Sequence, residues 1–196
     1  YLLTADSIWV RNFTKAGKQV DINHLTNPND YQMMVENEIK NNKMDISETR
    51  NVNVKNAIIV SDGYDFDKKQ ELLKNIPNTT IILAVNRALA KWKINRKIDY
   101  FVVNNPYPQC MLQMPSHRYF PSCIVSTKTY PEFLTEYSGS LFKYTPVNEE
   151  GFSSTINKSS FTIDDYRNPI CAAIGIAYYF GVQNLMLFCC DDSFID

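Results

Sequence analysis

From residue 51 onward the chain carries short runs of β-branched and other apolar residues, each closed by polar turn residues, at 57–61, 80–85, 100–103, 123–126, 141–144 and 185–189. The runs are nearly continuous in hydrophobicity rather than alternating. That suits parallel strands covered on both faces, because alternation arises where one face meets water. Helical signals lie between them. Lys68 to Asn75 carries Leu72, Leu73 and Ile76 along one edge, with Asp65 or Asp67 as a cap and Pro77-Asn78 as a stop. The clearest helix opens at Asn168-Pro169, where Asn suits the N-cap and Pro the first turn, and ends at Gly181. Its Ala172, Ala173, Gly175 and Ala177 allow close approach to a sheet. Strand and helix in alternation predict an α/β fold: a doubly wound, mostly parallel, Rossmann-like sheet.

Residues 1–50 read differently, being rich in Asn, Asp and Lys. Pro28 stands before one helical pattern, 29–43, in which Tyr31, Met34, Val35, Glu38 and Ile39 approximate one face. So few large apolar residues predict an N-terminal helical arm packed on a main domain of residues 51–196, with that domain expected to be cut short at its C-terminus. The polar stretch 145–158 is longer than an ordinary connection and reads as a lid or as a plain surface loop.

Composition narrows the function classes. The chain has 196 residues, 44% hydrophobic and 13% aromatic, which excludes disorder and fibrous repeats. Its 20 Lys+Arg are offset by 21 Asp+Glu, so no global field favours nucleic acid as a partner. The most apolar stretch, 170–190, is interrupted by Gly175, Gly181, Gln183 and Asn184, so no membrane span is expected. Five cysteines, odd in number and without Cys-x-x-Cys spacing, suggest reduced thiols in a cytoplasmic protein.

In an open α/β sheet, ligands sit beyond the carboxyl ends of the strands. The residues found there are Ser61-Asp62-Gly63-Tyr64, Asn86-Arg87, Asn104-Asn105, Ser126-Thr127-Lys128 and Asp191-Asp192. Asn amides both donate and accept, which suits a nucleobase, ribose or phosphate oxygen. Asp62 with Asp191 or Asp192 could hold Mg²⁺, which takes one or two carboxylates with phosphate oxygens; the plainer reading is caps and turn acids. Arg87 heads the basic cluster Lys91, Lys93, Arg96 and Lys97, which reads as a solvated face or, at Arg87, a phosphate contact. His24 and His117 have no paired acid, and no catalytic residue stands out.

Four ordered pieces, 56–63, 81–89, 98–106 and 168–192, resemble the Rossmann-like group typified by archaeal 6-hydroxymethylpterin diphosphokinase (MptE-like) and bacterial motility accessory factors, and more distantly bacterial single-domain sialyltransferases. The resemblance implies a nucleotide-dependent transferase acting on a small-molecule nucleotide substrate. The reaction would be glycosyl transfer from a nucleotide sugar or diphosphate transfer from ATP. It implies a nucleotide site of Ser61, Asp62 and Gly63 near the phosphates, Asn86, Arg87, Asn104, Asn105 and Thr127 near the nucleotide, and Asn168 near phosphate. The first turn departs from the group's Gly-x-Gly-Pro-Ser-Leu, reading Ser61-Asp62-Gly63-Tyr64-Asp65-Phe66. That departure favours the alternative, a non-catalytic binding or scaffolding domain that has lost its phosphate loop.

Overall fold

Eight segments pair as strands in the computed structural model, which describes residues 28–44, 46–115, 119–146, 161–165 and 168–191. Helix α1 (Pro28–Asn41) and the two-residue strand β1 (Ser47–Glu48) precede β2 (Asn56–Val60), a short helix α2 (Phe66–Lys69) that tightens into a 3-10 segment (Gln70–Asn75), and β3 (Thr80–Val85). Then come β4 (Tyr100–Val103), a 3-10 segment (Pro108–Gln113), β5 (Ser122–Ser126), α3 (Pro131–Glu136) and β6 (Leu141–Pro146). The two-residue β7 (Thr162–Ile163), α4 (Pro169–Tyr179) and β8 (Asn184–Phe188) complete the order.

The sheet runs β1-β6-β5-β4-β3-β2-β8, with β7 beside the end of β6, and every pairing is parallel. From β2 the chain steps outward to β6, then returns by way of α4 to place β8 on the other side of β2. This is the doubly wound α/β fold expected from the sequence. Parallel strands need crossovers, and crossovers bury both sheet faces. One face packs Ile58, Val60, Ile82 and Phe101 against Leu73 and Phe133. The other packs Ile59, Leu83 and Val102 against Ala172, Ala173 and Ile176 of α4.

Helix α4 has both expected ends. Asn168 Oδ1 accepts the Ile170 N–H at 2.8 Å, and Gly181 adopts φ +76°. The Gly181 N–H donates to the Tyr178 carbonyl and that of Val182 to Ala177, the paired bonds of a Schellman ending. At Gly175 an added Cβ would come within 2.5 Å of Ile163 Cγ2, so the small residue lets α4 lie directly on β7.

Three local expectations are corrected. Asp65 occupies the position before α2 with φ 57° but makes no side-chain cap bond, and the segment after it winds mainly as 3-10. Leu72 is exposed there, while Gln70 is buried. Its amide donates toward the Asp67 and Lys91 carbonyls and its oxygen accepts the Lys93 N–H. On α1 the inward face is Met34, Asn37, Glu38 and Asn41, with Ile39 turned out.

Candidate functional site

Because the strands are parallel, the chain leaves β3, β4, β5 and β6 along the same rim of the sheet. A cleft of about 270 Å³ lies there. Asn86 follows β3 with φ 54°, a left-handed conformation that Asn tolerates better than most residues. Its amide donates to Ser61 Oγ at 2.9 Å, tying the ends of β2 and β3 together. Asn104 and Asn105 follow β4. Asn105 Oδ1 accepts the Tyr107 N–H at 2.9 Å, an Asx turn that shapes the loop. Ser126 ends β5 and Pro146 ends β6; these residues line the cleft together with Asn86, Asn104 and Asn105.

At the same cleft lies a carboxylate that the strand-end pattern did not identify. Asp165 is 6% exposed and lines the cleft. Its Oδ2 accepts the Tyr144 hydroxyl at 2.7 Å and the Asn104 amide at 3.3 Å. Its carbonyl accepts the Asn168 N–H at 2.7 Å, so the residue is fixed from β6, from the end of β4 and from the start of α4. Burial, and then the nearby Asp165 charge, push the Tyr144 hydroxyl well above its usual range. It therefore stays protonated and donates.

Helix α1 forms part of the cleft wall through Met34. It is held by amides rather than by an apolar stripe. Asn37 Nδ2 donates to the carbonyls of Pro106 at 2.9 Å and Lys128 at 3.2 Å. One turn on, Asn41 Nδ2 donates to those of Thr127 at 2.9 Å and Thr129 at 2.7 Å. The loops after β4 and β5 are thus fixed by the segment that composition marked as an arm. Lys128, buried and cleft-lining, is the lysine of that wall.

The other described candidates are not among the residues that line this cleft. Asp62 is paired with Arg87 Nε at 3.2 Å and Lys91 Nζ at 3.0 Å, and it also accepts the Arg87 N–H. Gly63 sits against the end of β8: an added Cβ would come within 2.5 Å of the Cys189 carbonyl and would also meet Asp191. Asp191 Oδ2 accepts the Tyr64 N–H at 3.3 Å. In the first turn, therefore, a carboxylate of the chain takes a backbone donor of the kind that a phosphate loop offers its ligand. Asn168 spends its side chain on the α4 cap, and Thr127 is buried under α1 rather than lining the cleft. Asp192, His24, His117 and the stretch 147–158 lie outside the described residues.

Asp62 already carries two cations, and among the described residues no group of three His, Cys, Asp or Glu could hold a metal ion. The five cysteines are free thiols: Cys110 and Cys123 are buried and the other three half-buried. Among the described residues no helix is long and apolar enough to cross a membrane.

The class these features define is a doubly wound parallel α/β domain with a cleft, lined in part by strand-end amides and by Asp165, over the carboxyl ends of four strands. Among solved structures the chain is similar to the MAf glycosyltransferase from Magnetospirillum magneticum AMB-1, with a TM-score of 0.61 and 14% identity over 85% of this chain and 28% of that one. At that identity the likeness is one of fold, and the chain spans 28% of the length of that protein. It agrees with the Rossmann-like fold that the resemblance drawn from the sequence implies. No family model and no curated protein matches the chain.

Proposed function

We propose that the chain is a nucleotide-binding domain of a glycosyltransferase, taking a nucleotide sugar in the cleft above β3–β6. The observation that carries this reading is the meeting of Asn86, Asn104, Asn105 and Ser126 at one cleft. The shared fold with a glycosyltransferase favours glycosyl transfer over diphosphate transfer from ATP. Neutral amides and a hydroxyl match the alternating donors and acceptors of a nucleobase and ribose. Lys128 would face the phosphate, whose charge grows as the sugar leaves. The acceptor hydroxyl would attack the anomeric carbon as the bond to the nucleotide phosphate breaks. Catalysis would then rest chiefly on positioning and on charge stabilisation.

A thermal-shift series with CMP, UDP, GDP and ATP, each with and without Mg²⁺, tests the reading. A ligand at 100 times its Kd stabilises by about 2.7 kcal/mol, so one of the first three should raise the melting temperature. No shift with any of them ends the reading; a shift with ATP alone transfers it to diphosphate chemistry. A second reading, a binding domain without turnover, is favoured by the first turn, where Asp191 occupies the Tyr64 N–H and Asp62 is neutralised by Arg87 and Lys91. It predicts nucleotide binding with neither hydrolysis nor transfer of any sugar nucleotide that binds.

A further inference from the structure

Asp165, which has no part in the strand-end pattern, forms a centre with Tyr144 and Asn104, and the construction of that centre restricts what can join it. We propose that Asp165 is the residue that selects a sugar hydroxyl in the cleft, either on the ribose or on the transferred sugar of a nucleotide sugar. This rests on the nucleotide reading of the same cleft. An ionised carboxylate only accepts, so any ligand group that joins it must bring donors. The Tyr144 hydroxyl cannot reverse the polarity, because burial keeps its proton in place. Two donors meet on Oδ2, at 2.7 and 3.3 Å, and fix the direction of the carboxyl group. A cationic amine would be the other donor-rich partner. Lys128 in the same wall opposes it, while the neutral amides of Asn86 and Asn105 suit a polyol.

The two hydroxyl sources separate by calorimetric titration of wild type and Asp165→Asn. The probes are CMP, UDP and GDP, their 2′-deoxy forms, and CMP-sialic acid, UDP-glucose and GDP-mannose. If the ribose is read, the deoxy form of the preferred nucleotide binds wild type about tenfold more weakly, the scale of one hydrogen bond to a charged group, and the Asn variant loses that preference. If the transferred sugar is read, the variant loses about tenfold for the sugar nucleotide but keeps its affinity for the free nucleotide. Tyr144→Phe, which keeps the ring and loosens the carboxylate, should move the same ratio in the same direction. Should Asp165→Asn fail to fold, the Tyr144→Phe ratio decides instead. Equal ratios in wild type and variant for both comparisons overturn the role of Asp165 while leaving the nucleotide reading intact. Absence of binding by every nucleotide in wild type overturns both.

Discussion

Asn86 combines two features that substitution can separate. Its φ of 54° is costly for a residue with a Cβ, and its amide holds Ser61. Asn86→Gly loses the bond but relieves the backbone, whereas Asn86→Ala loses the bond and keeps the strain. The Ala variant should therefore be less stable than the Gly variant by about 1 kcal/mol in urea unfolding, a difference the side-chain bond alone would not produce. Gly63→Ala meets a backbone carbonyl that cannot rotate away, so a loss of about 1–3 kcal/mol is expected by the same measurement. The strand-end asparagines were legible in the sequence because their place follows from the direction of the strands. Asp165 was not, since it lies in no periodic run and its partners Tyr144 and Asn104 are 21 and 61 residues away. The available signal was its position three residues before the cap of the clearest helix.

Helix α1 shows the limit of reading a face from apolar periodicity. The strands were legible because burial on both sides requires unbroken hydrophobic runs, and the observed bounds of β3 and β4 coincide with those runs. The inward face of α1 instead carries Asn37, Glu38 and Asn41 beside Met34, and its amides meet loop carbonyls. Such partners belong to another element, so no local pattern marks them. Asn37→Ala with Asn41→Ala removes four hydrogen bonds and should release α1 before the sheet unfolds. Hydrogen exchange reads this directly: amides in α1 and near Lys128 should lose protection while those of β2 and β3 keep theirs. Helix α4 is the contrasting case, with a cap legible in the sequence and made locally. Asn168→Ala should cost about 1 kcal/mol in global stability.

At the scale of the whole molecule, building a sheet covered on both faces also sets how the protein responds to alkali. Packing against the sheet buries Cys110, Cys123, Tyr137 and Tyr144 and half-buries Cys190, and burial raises the proton affinity of each. The Cys110 and Cys190 thiols are pushed up to about 12 from an ordinary value of 9.0. For such groups the unfolded chain gives up its protons first as pH rises, so above pH 9 the unfolded state binds fewer protons than the native one. Their contribution to stability is complete below the ordinary pKa and is lost as pH climbs toward the folded value. Each group that has ionised only in the unfolded chain contributes a slope of about 1.4 kcal/mol per pH unit. Urea midpoints should therefore be level, as far as these groups are concerned, from about pH 7 to 8.5 and fall steeply between about pH 9 and 11. Cys110→Ala tests the attribution: it costs stability at neutral pH by leaving a cavity, yet its stability should fall less steeply in alkali than that of wild type. Parallel curves for the two proteins would mean that the Cys110 thiol ionises alike in the folded and unfolded chains, and that its burial does not contribute to the alkaline loss.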